Sequence, residues 1–248
     1  MGQSCEPAKH DHEGQRCEGT ALPADFDHDP GRFAANQLAT QNFSMVGDVH
    51  DRVAHRLAKT TAGPILDLGG GSGTLAKSLA KHGRSAIVVD RADYVRRAPR
   101  PAVQADATRL PFRAECFAAV AALWMLYYLD RPEVALIEAA RVLRPAGTFV
   151  ACTSSRYNDP EFAAVLPNWG EPFSFDAETA PAIVADHFEI TAVIGWDMPA
   201  VRLPDTAAVA LFLRGRGLSA DDARRHARSW STPLSVTKRG CLIWARRR

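Results

Sequence analysis

The stretch "ILDLGGGSGTLA" at residues 65–76 constrains the fold more than any other part of the chain. A short apolar run broken by one acid leads into four glycines within positions 69–73, and a helix-like segment follows. Each glycine costs backbone entropy on folding, so a cluster marks a backbone that must turn tightly or admit something close to it. A buried strand, a glycine turn and a helix open a βαβ unit, and the helix start offers N–H groups to a ligand. In such a turn Gly69 leaves the strand, Gly71 opens the backbone to a ligand, and Gly73 lets the helix pack close to the sheet.

The segments that follow keep the same rhythm. "SAIVVD" (85–90), "PAVQAD" (101–106), "CFAAVAALWML" (116–126) and "AGTFVACTS" (146–154) read as strands. "TLAKSLAKHG" (74–83), "DYVRRA" (93–98) and "RPEVALIEAARVL" (131–143) read as the helices between them. Alternation of this kind means a largely parallel sheet, with right-handed crossovers that gather the strand C-termini on one ligand-binding edge. Before the glycine turn, residues 31–60 look helical, with Met45, Val49, Val53 and Leu57 on one face. After the fifth strand come a helix and strand at 182–196, helices capped by Asp205 and Ser219, and an alternating final strand at 234–247. The last two strands suit an antiparallel hairpin.

Composition excludes several classes. The chain has 248 residues and a net charge of only +2, which argues against a protein built to coat nucleic acid or an anionic membrane. Ten basic residues from Arg214 onward face only Asp221 and Asp222, and a solvated surface accounts for them. The longest apolar run (117–129) is too short to span a bilayer, and the polar N-terminus shows no signal-peptide pattern, so the expectation is a cytoplasmic protein. Five scattered cysteines form no disulfide framework. Cys5, His10, His12 and Cys17 have a spacing outside the common zinc patterns, so no metal is expected.

Two ligand classes use a glycine turn like this one. The dinucleotide fingerprint appears in shifted form as Gly71, Gly73 and Ala76, with Asp90 to hold ribose hydroxyls, which would make an NAD(P)-dependent enzyme. In that register, however, the turn should fall later than Gly69, and Thr74 stands where the third glycine belongs. The other ligand is S-adenosylmethionine (SAM). Asp67-Leu68-Gly69-Gly70-Gly71-Ser72-Gly73 matches an acid-x-G-x-G-x-G motif in register, and here the sequence resembles the class I SAM-dependent methyltransferases. Asp90 matches the acid that ends their second strand, "QADATRLPF" (104–112) their adenine-side motif, and residues 117–150 their segment from strand four to strand five. The branch resembled includes menaquinone- and ubiquinone-pathway enzymes. Tyr127 and Tyr128 stand where that branch often has a histidine, and Pro145-Ala146-Gly147 where Pro-Gly-Gly is usual.

The resemblance implies an α/β fold: a Rossmann-like, doubly wound, seven-stranded sheet, mostly parallel with an antiparallel last strand, plus an α-helical lid insert. It divides the chain into a loose tail (1–30) and one methyltransferase domain (31–248), with a SAM-binding core at 45–155 and a substrate lid at 196–232. It places Asp67, Gly69, Gly70, Gly71, Gly73, Asp90, Arg91, Asp106, Ala107 and Leu123 around SAM, with S-adenosylhomocysteine (SAH) as product. Residues suited to the acceptor side are Trp124, Tyr127, Arg156 and Tyr157, and the preferred bases, if a base is needed, are Tyr128 and His50. In the lid, Arg202, Arg214 and Arg216 would suit an acidic or phosphorylated substrate. The leading expectation is methyl transfer to O, N or C of a small molecule, as a monomer or homodimer. RNA-base methylation and a non-catalytic SAM binder are the alternatives.

Overall fold

The computed structural model describes residues 29–248. The readings of the tail before residue 29, and of Cys5, His10, His12 and Cys17, therefore lie outside the described residues. Seven strands form one sheet in the order β3-β2-β1-β4-β5-β7-β6. The strands are β1 (Ile65–Leu68), β2 (Ala86–Asp90), β3 (Ala102–Gln104), β4 (Phe117–Leu123), β5 (Leu143–Ser154), β6 (Phe188–Leu203) and β7 (Leu234–Arg247). Neighbours from β3 to β5 pair in parallel, and β7 alone runs antiparallel to both β5 and β6. The sheet has the expected mixed topology, with the order reversing between β1 and β4, where the two C-terminal ends diverge into a crevice.

The helices are α1 (Pro30–Phe43), α2 (Val49–Thr60), α3 (Thr74–Ala80), α4 (Pro132–Val142), α5 (Ala180–His187), α6 (Thr206–Gly215) and α7 (Ala220–Ala227). Alternate strand residues feed two cores on opposite faces of the sheet. Leu66, Leu68, Val120 and Ala122 enter one, with Leu136 and Phe149; Ile65, Ala119 and Ala121 enter the other, with Leu57 and Leu79. Strands buried on both faces read as continuous apolar runs, which is why β1 and β4 were visible without alternation.

The last third departs from the sequence reading in one respect. Residues 196–203, expected as the start of the lid, form the far half of β6, which pairs with β7 as far as Leu203↔Leu234. β5 pairs with β7 only between Gly240 and Arg246, so the β6–β7 ribbon runs on past the sheet edge. Helices α6 and α7 sit between the two ribbon strands in sequence and bury Val209, Phe212, Leu213, Ala223 and Ala227 against Leu203, Val236 and Phe162. Helix α1 closes over α6: a Cβ at Gly215 would lie 2.9 Å from backbone atoms of Asn36, so only glycine permits this approach. The α1–α2 link then pairs with the outer edge of the ribbon through Met45 N–H to the Ala200 carbonyl at 2.8 Å. A third core thus hangs beyond the sheet, over the C-terminal ends of the strands. No helix among the described residues is long and apolar enough to cross a membrane.

Candidate active site

A cleft of about 1960 Å³ lies between the strand C-termini and the overhanging α1–α6 unit. That volume exceeds the ~300–1,000 Å³ of a typical small-molecule site and leaves room for two ligands side by side.

One half is built by the glycine turn. Gly69 and Gly71 hold φ of +65° and +55°, and Gly73 +78°. Each glycine is needed for a different reason. A Cβ on Gly69 would lie 2.6 Å from Met125, and one on Gly70 would lie 2.5 Å from the Asp67 carboxyl. At Gly73 it would meet Pro99 at 2.6 Å, so the packing that requires glycine is against the loop after β2, not against the sheet as expected. Only Gly71 has open space, with Asp90 Oδ2 at 4.0 Å, and this is the position expected to admit a ligand. The turn starts at Gly69, two residues ahead of the register a dinucleotide fingerprint needs.

Three acids surround this turn. Asp90 accepts the Gly71 N–H at 2.8 Å and the Ala92 N–H at 2.9 Å, which fixes its carboxylate at the cleft wall. Asp106 accepts both the N–H and the hydroxyl of Thr108 on Oδ1; the backbone bond first, then the hydroxyl, hold its carboxyl below the usual range. Oδ2 of Asp106 makes no bond among the described residues. Asp67 is buried beneath Gly70, and its Oδ2 has no hydrogen-bond partner. Burial pushes its pKa up to about 7, against the pull of His50 and of the Ala76 N–H. This carboxyl lies under the turn and off the cleft wall, where its ionised form would favour a cation bound above it through the field rather than by contact. SAM carries a sulfonium and an ammonium, two ribose hydroxyls and an exocyclic amine, so the donor set fits it. Arg91, Ala107 and Leu123 also line this half; Gly73 and Asp67 support it from below.

The other half is aromatic. Trp124, Tyr127, Tyr128, Trp169, Phe173 and Phe212 line it. Trp124 adopts φ +61° directly after β4, a left-handed conformation that costs an indole-bearing residue of order 1 kcal/mol, and its ring meets Trp196 edge-on at 6.1 Å. Tyr127 and Tyr128 have ring centroids 4.6 Å apart. Burial first, then Tyr128, raise the Tyr127 phenol well above its ordinary value, so Tyr127 stays protonated. His50 lines the cleft with Nδ1 2.6 Å from Asp48 Oδ1, while His55 points away and meets His82. Burial raises the Asp48 carboxyl, but the bonds and charge of His50 outweigh it and hold Asp48 below the usual range.

Two expected acceptor-side residues do other work. Arg156 reaches the cleft wall but is clamped by Asp176, wholly buried, at 2.6 Å. Tyr157 is 42% exposed, packs edge-on against Trp169 and does not line the cleft. Of the lid arginines only Arg216 faces it; Arg214 is spent on Asp29, and Arg202 is exposed. Asp159 precedes Pro160, a sequence that suits a helix cap, and its carbonyl does accept the Phe162 N–H. Its side chain makes no capping bond: at φ +59° and 2% side-chain exposure it instead binds Arg216 and Lys238. Asp48, Asn36 and Lys238 escaped the sequence reading, since nothing local ties them to the glycine turn. Among the described residues no group of three or more His, Cys, Asp or Glu is placed to hold a metal ion.

Residues 66–151 match the family model described as "Methyltransferase domain". The chain is 30% identical over 165 residues to the ubiquinone/menaquinone biosynthesis C-methyltransferase UbiE of Paraburkholderia xenovorans, covering 55% of this chain and 68% of that one. It is 36% identical over 111 residues to the demethylmenaquinone methyltransferase of Mycolicibacterium paratuberculosis, covering 42% of this chain and 47% of that one. Among solved structures, a SAM-dependent methyltransferase from Thermotoga maritima shares the fold with a TM-score of 0.56 at 16% identity, over 90% of this chain and 98% of that one.

Proposed function

This chain belongs to the class I SAM-dependent methyltransferases, and from that premise we propose that it methylates an O, N or C nucleophile of a small, largely apolar, ring-bearing molecule. The observation that carries the reading is the continuity of one cleft from the acid-lined glycine turn to the aromatic half under α1 and α6. A nucleic-acid base needs an open basic track leading to it, whereas this half is roofed by packed helices. The two quinone-pathway relatives are consistent with a ring-bearing acceptor.

SAM, when bound, supplies a methyl group activated by its sulfonium, so the chain itself must bind, orient and keep water out. Asp90 would hold the ribose hydroxyls and Asp106 the adenine amine, while Asp67, from beneath the turn, would favour the cationic end by its charge. Arg91, Ala107 and Leu123 would complete the cofactor wall. Trp124 and Tyr128 would press the acceptor ring toward the cofactor half. Where the acceptor must lose a proton, the His50–Asp48 pair is the better base than Tyr128: the carboxylate orients the imidazole and stabilises it once charged.

The test is calorimetric titration with SAM, SAH and NADH, with Asp90→Ala as the control. Wild type should bind SAM and SAH but not NADH, and Asp90→Ala should lose about a hundredfold in affinity, the scale of two charge-assisted bonds. Transfer of labelled methyl to quinol-like phenols but not to RNA then checks the acceptor class. Labelling of RNA alone would overturn it. SAM binding without turnover on any phenol or RNA would favour a binder that does no chemistry.

A further inference from the structure

The charges differ between the two halves of the cleft. Asp48, Asp90 and Asp106, with Arg91 beside them, line the cofactor half, while Arg32, Arg216 and Lys238, with Asp159 among them, line the roof of the acceptor half. Asp159 brings Arg216 and Lys238 together. Its Oδ2 accepts Arg216 Nε at 2.7 Å and Asn158 Nδ2 at 3.2 Å, and its Oδ1 accepts Lys238 Nζ at 2.6 Å. Arg216 Nη1 also donates to Asn36 Oδ1 at 2.5 Å. Both cations lie over the ring of Phe212, at 4.5 and 5.7 Å.

Two features of this cluster exceed what a structural pin requires. First, donors are left over. A guanidinium has five N–H bonds and an ammonium three, yet Arg216 and Lys238 together make three hydrogen bonds among the described residues. Second, the nearby acids are used up. Asp159 has both oxygens engaged, and Glu161 binds the N–H and hydroxyl of Thr237. Glu171 stands at the exposed rim. The Lys238 side chain is only 20% exposed, so solvent meets little of the unspent donor capacity. Burial and the neighbouring Arg216 charge push its pKa down to about 8, the mark of a cation short of compensation.

We propose that the acceptor carries an anionic oxygen, a carboxylate or an ionised phenol or enol, and that Arg216 and Lys238 bind it in the roof of the cleft. The inference rests on the methyltransferase reading and adds the charge of its substrate. The anion would sit against the two cations, on their side away from the Phe212 ring, with the apolar body of the acceptor reaching down between Trp124 and Tyr128. Arg32 adds a third positive charge to the same roof. The same cations would leave a neutral or cationic acceptor poorly held.

The probes are benzoate and its neutral isostere benzamide, small enough for any arrangement of the aromatic walls, titrated by NMR into protein saturated with SAH. Benzoate should bind at least about tenfold more tightly than benzamide, the worth of one or two charge-assisted bonds. Lys238→Met should cut that preference at least about fivefold, Lys238→Arg should keep it, and SAH affinity should be unchanged in both. Equal binding of the two probes, no benzoate binding up to about 20 mM, or an undiminished preference in Lys238→Met would each overturn the proposal. If Lys238→Met does not fold, Arg216→Gln is read the same way. Failure to bind SAH would instead sink the methyltransferase reading, so the two failures are told apart.

Discussion

The two halves of the cleft are made in opposite ways. The cofactor half is local. Asp67, the glycine turn and Asp90 lie within 24 consecutive positions, on two neighbouring parallel strands and the loops that leave them. Its ligand-facing atoms are largely backbone N–H groups and short acids, and its shape is imposed by the absence of side chains at Gly69, Gly70 and Gly73. The acceptor half is assembled from afar. Arg216 meets Asp159 across 57 positions, Lys238 meets it across 79, and Arg216 meets Asn36 across 180. Here the shape is set by long side chains in ion pairs. A site written in backbone can be shared by many sequences that keep a few glycines and acids, whereas a site written in ion pairs between distant elements is free to diverge.

The sharpest way to break the comparison is Asp159→Ala. It would leave Arg216 and Lys238 buried together without their carboxylate, which costs ~3–5 kcal/mol, and put alanine at φ +59°, worth ~1 kcal/mol more. The expected outcome is a fall in thermal midpoint of ten degrees or so. SAH affinity, measured well below the new midpoint, should be unchanged, because the cofactor half does not share this network. Joint loss of stability and SAH binding would show the two halves to be one cooperative unit. The sign of the pH effect follows from the same pair of cations. Burial raises the Asp159 carboxyl, but Lys238 and Arg216 overcome it, so the folded pKa lies below the unfolded one. The stability that the Asp159 carboxylate contributes is therefore present above the unfolded carboxylate pKa and is lost as pH falls through the folded value.

What could be read from the sequence follows the same division. The strands of the parallel part of the sheet and the turn at Gly69 were legible because apolar runs, glycines and end-of-strand acids are local signals. The helices capped by Asp205 and Ser219 were legible for the same reason, and both caps accept N–H groups three residues on, at 2.8 and 3.1 Å. Asp159 before Pro160 carries an equally good capping signal, yet tertiary ion pairing claims its carboxylate. The strand at 196–203 was missed because Gly195 precedes it and the segment itself holds Pro199, Asp197 and Arg202, which are typical of a loop. Its pairing with β7 cannot be seen without the partner strand. Tyr157 and Trp169 show the same limit: an aromatic in a loop after a strand does not announce which side of the loop it will face.

A second prediction sharpens the cofactor half alone. The Asp67 carboxyl, held up to about 7 by burial, favours its protonated form below that pH in the free protein. Its folded pKa exceeds the unfolded carboxylate value, so the free protein loses stability as pH rises between the two. A cationic ligand favours the ionised form. Binding of SAH with its ammonium therefore releases a proton from Asp67, and affinity should rise about tenfold from pH 6 to pH 8. Asp67→Asn keeps the shape and removes the titration, so the slope in pH should flatten. A slope that persists in Asp67→Asn would assign the proton to another group.

The smallest effect tests where the acceptor half ends. Tyr157 sits in the same loop as Asp159, two residues away, but packs against Trp169 on the outer side and is 42% exposed. Tyr157→Ala removes one edge-on ring contact at a partly solvated site and should cost no more than about 1 kcal/mol. SAH affinity and the preference for benzoate over benzamide should stay within about twofold of wild type, less than 0.5 kcal/mol. A larger loss of anion preference would mean that the outer packing of the loop sets the position of Asp159. The acceptor half would then extend through the protein wall to the surface, and its ion pairs would depend on the aromatic contact behind them.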